Sequence, residues 1–218
     1  MILAVLLFRA GVLPAASPDV GRLVAEAARP EVIYADPARA DSLIGEITKD
    51  PAGSLPHLLA LVETPWALQF DIVRRCLERI GEPARLTVEK ELEGTPTARR
   101  TALLLVVLEK IGGPGRESLL ARYAASAEPA LVVTSLRCLA AFGEPTVSTS
   151  IATPLLSHPL PQVRLAAAWT LGEICRRQES PSLPEEALAG LRSLLADNEP
   201  RIRLTAEETL AAASVGKK

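Results

Sequence analysis

The sequence predicts an all-α protein built from stacked helix pairs, and three observations carry this prediction. A phrase with a glycine at its centre returns at Gly81, Gly112, Gly143 and Gly172, with spacings of 31, 31 and 29 residues. A fixed period of roughly 20–50 residues is typical of architectures in which each unit packs on its neighbours. Only 3% of the residues are aromatic while 48% are hydrophobic, so Leu, Ala, Val and Ile must form the core. This composition favours helices, because strands are rich in β-branched and aromatic residues.

Each repeat is predicted to hold two helices, with a proline near the start of the second. The prolines are Pro65, Pro96, Pro129, Pro161 and Pro200. Proline suits a first turn, since its missing N–H would be unpaired there in any case. The second helices are predicted at Ala67–Ile80, Thr97–Ile111, Ala130–Phe142, Pro161–Cys175 and Pro200–Ala213. The first helices are predicted at Leu55–Val62, Ala84–Glu93, Arg116–Ala127, Val147–Leu156 and Pro184–Ala196, with a kink or a short helix at Pro154.

The ends of the second helices carry recognisable signals. Thr64 and Thr95 precede two of them and are predicted to be N-caps. The glycine that follows four of them suits the left-handed conformation at a helix C-terminus, and in three cases a proline two residues later prevents continuation.

The two ends of the chain differ from the repeats. Residues 1–18 are an apolar segment that the sequence leaves open as a signal, an anchor or a capping helix. Asp19–Arg29 and Pro37–Thr48 are predicted helices, so that residues 19–53 form a degenerate pair that caps the array of residues 54–218. Gln178–Pro184 is predicted to be an expanded loop.

Three columns of the repeat alignment predict the core. They lie nine, five and one residues before each glycine, and this spacing places them on one helical face. The first column is Ile72, Leu103, Thr134, Val163 and Ile202. The second is Cys76, Val107, Cys138, Ala167 and Ala206, whose small size lets neighbouring helices approach closely. The third is Ile80, Ile111, Phe142, Leu171 and Leu210.

The segment Val163–Ile174, with the sequence VRLAAAWTLGEI, resembles the second helix of a HEAT repeat, particularly the short HEAT-like type of the phycobilisome-lyase group. Ile202-Arg203-Leu204-Thr205-Ala206 repeats its opening. The resemblance covers residues 54–214 and implies a right-handed α-solenoid whose second helices line a concave face. Ser135, Leu104 and Val73 replace the characteristic arginine in the remaining three repeats, so the ladder that it would form is incomplete.

Catalytic, metal and nucleotide chemistry are not indicated. The cysteines Cys76, Cys138 and Cys175 are predicted to be buried thiols in a reducing compartment. His57 and His158 lie far apart in the sequence, and no cluster has the spacing of metal ligands. The Gly112–Gly115 segment lacks the Lys-Ser/Thr pair of a phosphate loop. We therefore predict no enzyme activity and no cofactor.

Three further columns predict a surface. Seven residues before the glycine stand Arg74, Leu105, Leu136, Leu165 and Leu204. Three before it stand Glu78, Glu109, Ala140, Trp169 and Glu208, and one after it stand Glu82, Gly113, Glu144 and Glu173. An apolar strip with charged margins is typical of partner sites. The predicted partner-binding residues are Leu105, Glu109, Leu136, Leu165, Trp169 and Glu173. The alternative is that these leucines pack against neighbouring repeats.

The sequence thus favours a cytoplasmic, non-enzymatic scaffold or adaptor that binds a protein segment on this surface, and the glutamates favour a basic segment. The HEAT-like resemblance leaves two alternatives, a bilin-lyase-like enzyme or chaperone and a DNA-lesion-binding protein. A net charge of −2 and a pI of about 5.8 give no general attraction to nucleic acid. The basic pairs Arg74-Arg75, Arg99-Arg100 and Arg176-Arg177 are predicted to be solvated or paired with glutamates. No integral membrane span is predicted, since the apolar run of residues 2–8 is too short.

Overall fold

A computed structural model describes residues 19–94, 96–178 and 182–214, and within these ranges the chain forms helices and no strand. The helices are α1 Asp19–Ala27, α2 Pro37–Ile47, α3 Pro51–Ala60, α4 Ala67–Ile80, α5 Glu82–Glu93, α6 Ala98–Ile111, α7 Glu117–Ala124, α8 Pro129–Phe142, α9 Pro145–Ala152, α10 Pro161–Arg176, α11 Glu185–Leu194 and α12 Pro200–Ser214. A π-helical turn occupies Glu31–Ala35. The chain groups into two compact units, Met1–Val88 and Glu89–Lys218. The domain boundaries after residues 18 and 53 stay predictions.

In the first unit, α1 packs on α2, α3 and α4. Leu58, Ile72, Val73, Cys76 and Leu77 are fully buried and form its core. Two aspartates precede prolines and cap helices, Asp36 at α2 and Asp50 at α3. Each carboxylate accepts a bond from a backbone N–H of the first turn, which satisfies a donor that has no partner inside the helix.

In the second unit the helices form two layers. The second helices α6, α8, α10 and α12 pack side by side in chain order, and the first helices α7, α9 and α11 each pack on the second helix that follows. The small column is completely buried, at Val107, Cys138, Ala167 and Ala206. Its small side chains let the second helices approach closely, and the predicted solenoid of helix pairs is confirmed. The handedness of the array stays a prediction.

Most predicted helix bounds agree with the structure to within a few residues. The short helix at Pro154 is confirmed, since α9 ends at Ala152 and a 3-10 turn follows at Thr153–Ser157. The prediction for Thr64 was wrong: α4 begins after Trp66, and the Thr64 hydroxyl donates to Gln69 Oε1 instead. Thr95 lies outside the described residues. Thr97 caps α6 by accepting from the backbone N–H of Arg100.

The recurring glycines serve packing more than conformation. Gly81 has a positive φ of 71°, as predicted. The prediction of a left-handed conformation was wrong for the other three: Gly112 and Gly143 are extended, with φ of −68° and −65°, and Gly172 lies inside α10. A Cβ atom would overlap the Phe142 ring at position 112, the Ser148 hydroxyl at position 143 and the Thr209 hydroxyl at position 172. The period therefore marks points of close contact.

Three hydrogen bonds between second helices establish their true register. Cys138 Sγ donates to the Leu105 carbonyl at 3.3 Å, Thr170 Oγ1 to the Leu136 carbonyl at 3.1 Å, and Thr209 Oγ1 to the Ala168 carbonyl at 3.0 Å. Leu105, Leu136 and Ala168 are therefore equivalent, and the donors of the last two bonds lie 39 residues apart. The glycine alignment instead equates Leu136 with Leu165, so it slips by three residues between α8 and α10.

The other two core columns are only partly buried. Ile72, Val163 and Ile202 are buried, but Leu103 and Thr134 are partly exposed. In the third column Ile80 and Leu171 are buried, whereas Ile111, Phe142 and Leu210 are partly exposed. Those three positions were wrongly assigned to the fully buried core.

The two arginines of the HEAT-like motif occupy equivalent positions in this register. Arg164 donates to the carbonyls of His158 and Pro159, and Arg203 donates to those of Asp197 and Asn198. In α6 and α8 the equivalent positions are Thr101 and Val132, both buried, and not Leu104 and Ser135 as the glycine alignment predicts. The predicted interruption of the arginine ladder is confirmed, but the residues that replace arginine are Thr101 and Val132.

Candidate protein-binding surface

Half of the predicted strip of leucines belongs to the buried core. Leu105 and Leu136 are fully buried, and Ala140 is 3% exposed. The expectation that Leu105 and Leu136 face a partner was therefore wrong, and the alternative, packing against neighbouring repeats, holds for both. Their backbone carbonyls accept bonds from the next helix, so these residues lie in the contact between second helices.

The exposed stripes of the second helices form a different surface, here called the open face. In the corrected register it has four rows, each with one residue from α6, α8, α10 and α12. The rows are Arg99, Ala130, Gln162 and Arg201; Ala102, Val133, Leu165 and Leu204; Val106, Arg137, Trp169 and Glu208; Lys110, Ala141, Glu173 and Ala212. All of these residues are exposed or partly exposed, which supports the register.

The apolar part of the open face is largest on α10 and α12. Trp169 is 37% exposed and Leu204 is 57% exposed, and both are large hydrophobic side chains in adjacent rows. Leu165, one turn before Trp169, is partly exposed. Exposed apolar side chains grouped in this way are typical of an interaction surface.

Two carboxylates of the predicted glutamate margin, Glu109 and Glu173, already have partners. Glu109 pairs with Arg137 on the neighbouring helix at 2.9 Å and with Lys110 at 3.2 Å. Glu173 pairs with Arg176 at 2.6 Å, and this bond raises the pKa of Arg176, with a further contribution from Glu208. At these two positions the expected acidic margin was wrong, because neighbouring arginines and a lysine neutralise the charge.

The other basic pairs follow the prediction in part. Arg74 and Arg75 pair with carboxylates of the first unit, and Arg100 pairs with Glu91. Arg177 instead donates to the carbonyls of Leu139, Ala141 and Gly143. It thereby satisfies the C-terminal end of α8, where helical carbonyls lack partners.

Ion pairs and caps hold the helices under the open face in place. Arg164 Nε donates to Asp197 Oδ2 at 2.7 Å, and this bond, aided by the backbone N–H of Glu199, lowers the pKa of Asp197. Bonds from the backbone N–H groups of Thr146 and Val147 lower the pKa of Glu144, which caps α9. The second helices are thus a firm support for exposed side chains.

The chemistry of the remaining polar groups points away from ligand coordination. Among the described residues, no group of three or more His, Cys, Asp and Glu side chains could hold a metal ion. All three cysteines are free and buried. Burial raises the pKa of the Cys76 thiol to about 12, and it also raises the pKa of Cys138 and Cys175. Thiolates, the reactive form, are therefore disfavoured.

Within residues 19–94, 96–178 and 182–214, no helix is long and apolar enough to cross a bilayer. The apolar run of residues 2–8 lies outside the described residues.

Sequence reasoning missed several exposed residues. The glycine alignment did not identify four residues of the open face, namely Ala102, Val106, Val133 and Arg137. The first-turn prolines carried the correct register: Pro129, Pro161 and Pro200 are 32 and 39 residues apart, as are the bonded residues Cys138, Thr170 and Thr209. Trp66 was also missed, and it is 70% exposed in the first unit.

Comparison with known proteins supports the class of fold. Residues 116–211 match the family model of HEAT repeats, which confirms the HEAT-repeat resemblance in that range. No curated protein sequence matches the chain. The chain is therefore a helical-repeat protein, and residues 116–211 of its second unit are similar to HEAT repeats.

Solved structures of repeat proteins are similar in fold. An engineered protein shares 15% identity over 91% of this chain and 97% of its own, with a TM-score of 0.50. A designed armadillo repeat protein, solved in complex with the peptide (KR)4, shares 14% identity over 89% of this chain and 99% of its own, with a TM-score of 0.52. Human deoxyhypusine hydroxylase shares 15% identity over 90% and 79%, and its TM-score of 0.44 is too low to bear on activity.

Proposed function

We propose that this protein is a non-enzymatic, cytoplasmic scaffold that binds a segment of a partner protein on the open face. An apolar side chain of the partner packs against Trp169, Leu165 and Leu204. The observation that carries the proposal is the exposure of Trp169 and Leu204 on two adjacent helices whose inner sides are tightly packed. Tryptophan is enriched among residues that dominate binding energy, and a firm support reduces the entropy lost on binding.

The charge around this apolar cluster supports a basic residue in the partner. Glu208 lies one turn after Leu204 on the same side of α12, and both it and Glu207 are exposed. These carboxylates favour a lysine or arginine beside the apolar anchor. The designed armadillo repeat protein of similar fold was solved with a Lys-Arg peptide, so a helical-repeat surface can bind a segment of this kind.

The buried thiols and the paired carboxylates support a binding role over catalysis. Catalysis by a cysteine needs an accessible thiolate, and burial raises the pKa of all three thiols. The free state of the cysteines also fits a reducing compartment.

Selection from a displayed library of random peptides tests the proposal. We expect peptides selected by the wild type to carry an aliphatic or aromatic residue beside Lys or Arg. Trp169→Ala should bind them at least about tenfold more weakly, since a tryptophan anchor contributes more than about 1.4 kcal/mol. Trp66→Ala is the matched control, because it removes an exposed tryptophan of the first unit. Equal affinity of the wild type and Trp169→Ala for all selected peptides would refute the assignment.

A further inference from the structure

We propose that Glu109, one residue before Lys110 of the open face, is a second binding subsite, specific for a Lys or Arg side chain, and that Arg137 occupies it in the free protein. This inference rests on the proposed function and identifies the partner chemistry at a position distant from Trp169. Arg137 is then an internal substitute for the basic residue of the partner.

The Glu109 carboxylate lies in an enclosed environment. The side chain is only 8% exposed. Its Oε1 accepts from Arg137 Nη2 at 2.9 Å and from Lys110 Nζ at 3.2 Å. Its Oε2 is buried and has no hydrogen-bond partner among the described residues. A buried carboxylate oxygen without a donor is unfavourable, because the bonds it made to water are not replaced.

Packing does not require a glutamate at position 109. In the corrected register, Glu109 is equivalent to Ala140 and Gly172, which are both small and buried. A small residue therefore fills this place in the neighbouring helices. Glu109 departs from that pattern and brings a charge into a contact that elsewhere is apolar.

Arg137 is free to move away from Glu109. It lies on the open face in the same row as Trp169, and its side chain is 49% exposed. Among the described residues, Glu109 is the only hydrogen-bond or ion-pair partner of this guanidinium, so a change of rotamer frees Oε1 for another donor. Exposed side chains change rotamer on the picosecond-to-nanosecond timescale.

The geometry also specifies what replaces Arg137. A lysine or guanidinium of the partner can donate to Oε1 in place of Arg137, and a planar guanidinium is the group suited to reach both oxygens of a carboxylate. Glu109 is on α6 and Trp169 is on α10, two helices away, so the subsites are roughly 16–20 Å apart. An extended segment spans this distance in about five or six residues.

The synthetic peptide (KR)4 is a suitable probe, because it has no apolar anchor and reports on Glu109 without Trp169. Binding of the full chain is measured by titration calorimetry or by anisotropy of the labelled peptide. We expect Arg137→Ala to bind (KR)4 at least about fivefold more tightly than the wild type, since the internal competitor is removed. Adding Glu109→Gln to this variant should abolish the gain, and Arg137→Lys should restore the wild-type affinity.

Arg201→Ala is the matched control, because it removes an exposed arginine of the open face and changes the net charge equally. A gain in Arg201→Ala as large as that in Arg137→Ala would overturn the subsite, as would a gain that survives Glu109→Gln. Absence of measurable binding by Arg137→Ala up to about 1 mM peptide would also overturn it. A failure of the Trp169 experiment with selected peptides would refute the proposed function and leave this result unaffected.

Discussion

Leu136 and Leu165 stand at the same distance before a glycine, yet Leu136 is fully buried and Leu165 lies on the open face. The two leucines differ because the two helices end at different places relative to the glycine. Helix α8 stops at Phe142, and Gly143 follows in an extended conformation, whereas α10 continues through Gly172 to Arg176. The similar segments before the two glycines therefore start at different distances from the first residue of each helix. Position relative to the start of the helix decides which residues are buried.

The largest expected difference between the two helices is in stability. Leu136→Ala should lower the free energy of unfolding of the second unit by about 2–5 kcal/mol, because it leaves a cavity in a closely packed contact. Leu165→Ala should cost less than about 1 kcal/mol, since its side chain already contacts water. Denaturant titration in a Trp66→Phe background, followed by Trp169 fluorescence, measures both values. Equal losses would contradict the corrected register.

A smaller effect is expected at the glycines. Gly143→Ala should cost about 1–3 kcal/mol, because its Cβ would overlap the Ser148 hydroxyl and approach the Leu139 carbonyl. Gly113→Ala is the control, since a Cβ there meets no atom within 4 Å. It should change stability by less than about 0.5 kcal/mol. If both variants lost the same stability, the glycines would serve backbone conformation and not close packing.

The bonds that define the register can be tested one at a time. Thr170→Val keeps the shape of the side chain but removes the donor to the Leu136 carbonyl, so it should cost about 1 kcal/mol. Thr205→Val, at a partly exposed position, should be nearly neutral. The same fluorescence titration measures both variants, and an unchanged stability of Thr170→Val would mean that this bond does not hold α8 and α10 together.

The smallest expected effect is the stabilisation by two carboxylates, and it is measured by its loss in acid. Arg164 and backbone donors lower the pKa of Asp197, and backbone donors lower that of Glu144, so both groups are more acidic in the folded state. Their stabilising contribution is complete above the unfolded-state pKa of about 4 and is lost as the pH falls through the lowered folded-state pKa. We therefore expect the melting temperature to fall below about pH 4. Asp197→Asn should show a smaller fall over the same range, and a fall equal to that of the wild type would exclude the Arg164 pair as a cause.

Part of the candidate site could be predicted because it depends on local pattern. Trp169 and Leu165 follow the exposed side of a single helix, and helical periodicity places them correctly. Glu109 could be named as a site residue, but its ion pair could not, because Arg137, its partner, belongs to another helix. Leu105 and Leu136 were assigned to the wrong side for the same reason: the neighbouring helix decides their burial.

The sequence by itself determined the helix pairs, their prolines and the small buried column, because these depend on short-range periodicity and on backbone constraints within a few residues. Only the tertiary structure decided the register between helices, since it depends on contacts such as Thr170 to the Leu136 carbonyl that join residues 34 apart. The same contacts decide which leucines remain exposed to bind a partner. The regular spacing of the glycines is visible in the sequence. The structure shows that most of them mark where neighbouring side chains and carbonyls come close.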